Sequence, residues 1–343
     1  MKQTGLYLSK INMKRITGFT LVELMIAMTI SMVLIGGVIE VFLASSQAYR
    51  LQESQARMQE NARFIFAILS NSIRQTGYTG CNSRKPGTIT NTLNNASDHA
   101  YRFGTALEGY EAEANSWSPT VDAAITSPLL GNDIIVIRGA LDSGIRVVTP
   151  FMNTSSAALH ITDDSGLEQE DIVMVTDCSA AAILQISNAN PNSSGTIVHN
   201  TGNVVSPSNA TSNLGKIYRD DAEIIKMETR AFYIRTGASG LPAMYQRIGL
   251  NAAEELIEGV EGMQILYGED TDGDSYSDRF LSADQVDMEE VVAVRISILL
   301  QSITDALTTG YQSYTFNGTT VTPTDHRVRR VFTTTIALRN RIP

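Results

Sequence analysis

Between Phe19 and Ile39 lie 21 residues in which Glu23 is the only charged side chain. A helix over that run, rising ~1.5 Å per residue, would be about 30 Å long, which is the apolar thickness of a bilayer. A carboxylate in that stretch costs a few kcal/mol to place in lipid, so Glu23 needs a partner.

A secretory signal peptide would have a shorter apolar core, followed by small residues at a cut site. Here the run ends in Glu40-Val41-Phe42-Leu43, and no compact A-x-A site follows. A plain membrane anchor fits the length but leaves Glu23 unexplained. On the near side, Gly18 closes a leader whose only charges are Lys2, Lys10, Lys14 and Arg15. The positive-inside rule keeps such a leader cytoplasmic. Met13 is an alternative start. The hexapeptide Gly18-Phe19-Thr20-Leu21-Val22-Glu23 resembles the processing site of the prepilin family. The resemblance implies that a prepilin peptidase cuts between Gly18 and Phe19 and N-methylates the new terminus. The mature chain would have 325 residues, and losing four cations takes the net charge from -10 to -14.

The acidic balance argues against a general nucleic-acid binder, which would show a basic domain. Two cysteines, Cys81 and Cys178, fall in the part expected outside the cytoplasm, with no C-x-x-C or metal-finger spacing. In an oxidising compartment they would form a disulfide, closing a loop of about 97 residues that chain-entropy estimates value at about 4–5 kcal/mol. The alternative is two separate buried thiols.

Past the apolar run, Ala44, Ala48, Leu51, Gln55, Met58, Ala62, Ile65 and Leu69 follow alternating steps of four and three, which draws one stripe along a helix. Arg50, Glu53, Arg57, Glu60 and Arg63 lie between them. With no proline before Pro86, and with stop signals at Gly77 and Gly80, one helix of about 55 residues is expected. Residues 58–73 suit core packing, and the part before them suits helix-to-helix contact in a filament. The remainder reads as β structure, with strand candidates at 133–138, 145–149, 158–162, 171–176, 182–187, 223–235, 243–248, 260–267, 290–300 and 328–339. The Asn/Ser/Gly-rich stretches 82–120 and 188–215 read as exposed loops or insertions. The fold class is therefore α+β, a long N-terminal helix packed on an antiparallel head, as in a pilin.

The resemblance extends beyond the N-terminus. Ser72-Ile73-Arg74-Gln75-Thr76-Gly77-Tyr78-Thr79-Gly80-Cys81 and the ending His326 to Arg341 resemble PilW-type minor pilins. Residues 258–268, EGVEGMQILYG, are similar to a strand shared with J-type pseudopilins of type II secretion. The family implies a leader at 1–18, a membrane and filament-core helix at 19–43, an amphipathic continuation at 44–77 and a periplasmic or extracellular head at 78–343. It implies that Phe19 and Glu23 dock subunits, the glutamate of one neutralising the terminal amine of the next. The physics agrees, because each charge alone in lipid costs more than the pair. A lesser role for Glu23 is snorkelling to the interface. The implied partners are other minor pilins, the major pilin, prepilin peptidase, the inner-membrane assembly platform and membrane lipid.

In Gly268-Glu269-Asp270-Thr271-Asp272-Gly273-Asp274-Ser275-Tyr276-Ser277-Asp278, the residues Asp270, Asp272, Asp274 and Asp278 stand at relative positions 1, 3, 5 and 9. Alternate carboxylates on a tight loop, with the Tyr276 carbonyl, suit a hard cation such as Ca2+. The loop departs from an EF-hand at Ser275 and Leu281, and the plain alternative is an acidic turn. Arg327, Arg329, Arg330, Arg339 and Arg341 sit on a strand pattern and suit a solvated or subunit-facing strand better than nucleic-acid readout. His99, His160, His199 and His326 are scattered, and no H-E-x-x-H, G-x-S-x-G, P-loop or dinucleotide fingerprint exists. No catalytic residue is nominated and no cofactor is required. The expected function is assembly of a type IV pilus, priming the filament from a place at or near its tip. The subunit would wait in the bacterial inner membrane and end on the cell surface. The alternatives are a J-type pseudopilin and a tip adhesin.

Overall fold

The long helix α1 runs from Leu21 to Arg74, 54 residues. The structure, a computed structural model, describes residues 18–80, 88–162, 165–202 and 205–341. Contacts divide the chain into two compact units, Met1–Glu53 and Ser54–Pro343. In the first, every described residue from Gly18 to Leu43 is exposed, and α1 contains a window of mean hydropathy 2.3, long and apolar enough to cross a membrane. In the second, Met58, Ala62, Ile65, Leu69 and Ile73 are buried. The expected stripe is thus core from Met58 onward, while Ala44 and Ala48 stay exposed. After Arg74 the chain leaves the helix, and Gly77 takes a φ of 70° that favours glycine.

Seven strands form the main path of the first sheet: β1 (Thr88–Asn91), β2 (Leu107–Ala112), β3 (Trp117–Ser118), β4 (Ile134–Arg146), β5 (Ile172–Thr176), β6 (Ala180–Gln185) and β7 (Glu223–Thr236). Their order is β1-β6-β5-β7-β4-β2-β3, and a hairpin of β8 (Pro242–Ile248) and β9 (Glu254–Glu258) pairs with β7. The second sheet holds β10 (Val260–Glu269), β11 (Arg279–Leu281), β12 (Val291–Gln301) and β13 (Arg329–Ala337), in the order β11-β10-β12-β13. All of these pairs are antiparallel except β1 with β6.

Strand β7 is buried on both faces, and its alternation sorts the core. Phe232 and Ile234 join the helix residues Met58 to Ile73 and the inner face of the second sheet, including Met263, Ile265, Ile296 and Ile298. Ile224 joins a second cluster with Val173, Leu184 and Leu214. On the opposite face Ile225 and Met227 meet Phe103 and Tyr101, and Ala231 and Tyr233 meet Tyr110 and Val136. A period of two with both faces covered explains why this segment is apolar at successive positions.

The sequence expectations need three corrections. The candidate 133–138 and the start of the candidate 145–149 belong to one strand, β4, which ends at Arg146 and whose pairing with β7 slips between Ala140 and Asp142 and again before Ile145. These bulges carry turn-like residues through the sheet. The supposed exposed loop at 82–120 holds β1 to β3 and buries Leu93, Ala100, Tyr101, Phe103, Leu107 and Tyr110. The stretch 188–215 buries Ile197, His199, Asn209 and Leu214. The Asn209 side chain accepts from Gln185 N at 2.8 Å and donates to Gln185 O at 2.8 Å, so an amide replaces a missing strand.

The two sheets are stitched along the free edge of β10, where β11 covers only residues 267–269. Met263 N donates to Asn132 Oδ1 at 2.8 Å, Asp133 N to Met263 O at 3.0 Å and Ile265 N to Asp133 Oδ2 at 2.7 Å. The other oxygen of Asp133 accepts Ala112 N of β2 at 2.9 Å. Burial pushes the Asp133 carboxyl up to about 6, against the pull of those two amides. Burial, with the carboxylates of Asp133 and Asp284, pushes nearby Glu111 up to about 7.

Two outcomes follow for the full chain in detergent. A Cβ at Gly139 would lie 2.4 Å from the Gln75 carbonyl, where the helix exit meets β4, so Gly139→Ala should cost about 1–3 kcal/mol. Gly104→Ala, which meets nothing within 4 Å, serves as the control, and thermal melting reads both. Raised folded-state carboxylates bind protons that the unfolded chain lacks at the same pH, so this cluster loses stability as pH rises from about 4 through about 7. Glu111→Gln should therefore raise the melting temperature at pH 8, by roughly 2–4 °C per ~1 kcal/mol recovered, and change it little at pH 4.

Candidate functional site

Gly18, Phe19 and Thr20 precede the helix and are exposed, so the Gly18–Phe19 bond sits in non-helical chain at the edge of the first turn. Thr20 N and Oγ1 donate to Glu23 Oε2 at 2.9 and 3.0 Å, and Glu23 N donates back to Thr20 Oγ1 at 3.2 Å. This reciprocal pair is a capping box, with Thr20 as N-cap and Glu23 in the third helical position. Reading the sequence for lone charges missed it, although T-x-x-E before an apolar run was the available signal. Glu23 thus has a partner within its own chain. Both bonds fall on one carboxylate oxygen, and among the described residues Oε1 has no donor.

Cys178 follows β5 closely, while Cys81 lies outside the described residues. The chain approaching Cys81 is tied down nearby, with Thr176 Oγ1 donating to the Thr79 carbonyl at 2.9 Å. Asp177, beside Cys178, accepts from Ser179 N at 2.8 Å and Ala180 N at 3.0 Å and pairs with Lys216.

The acidic loop turns between β10 and β11. Asp270 is buried and accepts Gly273 N at 2.7 Å and Ser275 N at 2.9 Å. Asp274 accepts Tyr276 N at 2.8 Å, and Asp278 accepts Thr271 N at 2.8 Å and Thr271 Oγ1 at 2.5 Å. The Thr271 hydroxyl and amide hold the Asp278 carboxyl below the usual range. One oxygen each of Asp270, Asp272 and Asp278 comes within 4.8 Å of the others. Asp274, the fourth expected carboxylate, is not in this group. The basic strand is partly spent internally: Arg329 pairs with Glu261 at 2.6 Å and Asp325 at 2.7 Å, and Arg327 donates to the Ser302 carbonyl at 2.6 Å.

Residues 231–340 match the family of type IV pilus-assembly protein W, and residues 13–39 match the prokaryotic N-terminal methylation motif. No curated protein and no solved structure matches the chain. The first match begins within β7 and takes in the whole second sheet. The second spans residues 13–17, Gly18, Phe19, Glu23 and the apolar part of α1 as far as Ile39. Helix, sheet and the two matched segments together make the chain similar to prepilin-like pilins of the PilW type, which are related to type IV pilus assembly.

Proposed function

We propose that this pilin primes the type IV pilus and ends at or near its tip, acting as a structural subunit rather than an enzyme. The observation that carries the reading is the exposed apolar helix with Glu23 set at its start. Prepilin peptidase would remove residues 1–18 and methylate Phe19. The helix from Phe19 to Leu43 would hold the subunit in the inner membrane, with the head from Tyr78 onward in the periplasm. On assembly the same helix would enter the filament core beside other minor pilins and the major pilin. The capping box presents Glu23 at the end of the helix where a neighbouring subunit's amine would arrive, and Oε1 would receive it.

A Cys81–Cys178 disulfide would fix the chain beyond the helix exit to β5, and the Thr79–Thr176 hydrogen bond supports the proximity this needs. Calcium would sit between Asp270, Asp272 and Asp278, whose oxygens already converge, with Asp274 and the Tyr276 carbonyl close in sequence.

Glu23→Gln tests the docking role cleanly, because glutamine keeps the cap and removes the charge. Processing should persist, shown by N-terminal mass spectrometry of a methylated Phe19, while surface pili fall to the level of a strain lacking the chain. Unchanged piliation would dismiss the role of Glu23, and a mature chain starting elsewhere would dismiss the processing site. Titration of the full chain with millimolar calcium should release heat that Asp272→Ala abolishes; identical traces would reduce the loop to a turn.

A further inference from the structure

Most sheet edges in the head are short or guarded. β1, β3 and β11 run for four, two and three residues. β9 carries Glu254, Glu255 and Glu258, and its pairing with β8 slips between Met244 and Tyr245. β13 differs on every count. It runs nine residues, pairs with β12 without a slip, and has no strand on its other side among the described residues. From Val331 to Ala337 it holds no charge, proline or glycine. Leu338 N donates to Val292 O and Ser302 N to Val328 O, both at 2.8 Å, which fixes the phase of the ladder. Even-numbered residues of β13 therefore bond to β12, and Val331, Thr333, Thr335 and Ala337 aim N–H and C=O at the open side. All four are exposed. The hairpin Tyr314–Phe316 with Thr319–Val321 packs against β13, with the Arg329 guanidinium 5.5 Å from the Tyr314 ring and Phe316 against Gly262, but it forms a separate sheet and shares no ladder with β13.

An unguarded row of this kind is a template for another strand, and natural sheets normally avoid leaving one. Charge indicates which strand. From Arg327 to Arg341 there are five arginines and no acid, in a chain whose residues 269–290 hold nine acids and one arginine. Arg330 and Arg339 are exposed at the two ends of the open row. A second copy paired antiparallel about Thr333 would set Arg339 opposite Arg327, and like charges placed opposite destabilise a sheet.

We infer that β13 is a docking edge for an extended segment of a different protein, acidic at its ends, which adds as a fifth strand to the second sheet. Backbone pairing supplies the affinity, and Arg330 and Arg339 select the charge. The inference stands on strand geometry and is independent of pilus priming.

The probe is a short peptide of alternating valine and threonine flanked by glutamates, compared with the same peptide flanked by lysines. Both are titrated against the full chain in detergent by fluorescence anisotropy. The glutamate peptide should bind about tenfold tighter or better, and lose affinity as salt rises. Thr333→Pro removes an N–H that β12 does not use, so the melting temperature should hold while binding falls by about tenfold or more. Thr335→Glu, an acid on the same edge that repels the glutamate-flanked probe, should give the same loss if the proline variant melts early. Equal binding of the two peptides, binding of neither, or binding unchanged in both variants would overturn the inference. So would concentration-dependent dimerisation of the wild-type chain that Thr333→Pro abolishes, since the occupant would then be a second copy.

Discussion

Burial of one helical stripe, Met58 to Ile73, is the contact on which the head is built. Five apolar side chains at steps of three and four meet the inner face of the second sheet and one face of β7 in a single cluster. Each fully buried Leu, Ile or Met contributes about 1.5–3 kcal/mol, so the stripe is a large share of the stability a domain of this size has to spare. Because β7 is covered on both faces, its other face seeds two further clusters and extends the first sheet well past the helix.

The N-terminal half of the helix has the opposite character. Its apolar side chains are exposed throughout, which water does not tolerate over so long a run but lipid or neighbouring helices would. Within it, Glu23 serves two ends at once. It closes the capping box with Thr20, which satisfies a helical N–H that lipid could not. It also holds a carboxylate oxygen on the Thr20 amide, one residue from the Gly18–Phe19 bond proposed as the processing site. Local helix chemistry and the proposed assembly chemistry therefore call on the same side chain, and only a substitution that separates charge from hydrogen bonding can divide them.

In the head, polar groups do structural work at the edges of sheets. Asn132 and Asp133 extend the ladder of β10 where no strand does, and Asn209 does the same beside Gln185. The cost is a carboxylate buried near Glu111, with both groups shifted toward their protonated forms. Among the described residues no strand pairs with the outer edge of β13. The contrast between edges that are finished by side chains and one that is left plain is what gives that strand its interest.

The apolar run, the prepilin motif and the step pattern from Met58 were legible in the sequence because they depend on near neighbours along one helix. Ten strand candidates located most of the sheet residues for the same reason, since alternation is a local property. The sequence did not disclose that 133–138 and 145–146 are joined in one bulged strand, that Tyr101 and Phe103 are core, or that Asn209 and Asp133 stand in for missing strands. It placed Asp274 with the other acids of the loop, whereas the fold turns it toward the Tyr276 amide. Each of these depends on partners far apart in the chain, which composition and spacing do not encode. The sequence by itself therefore determined the helix, the single acid of its apolar run and the class of fold. Only tertiary structure decided which polar residues are buried, which carboxylates meet and which edge stays open, because those follow from how the sheets pack rather than from any local pattern.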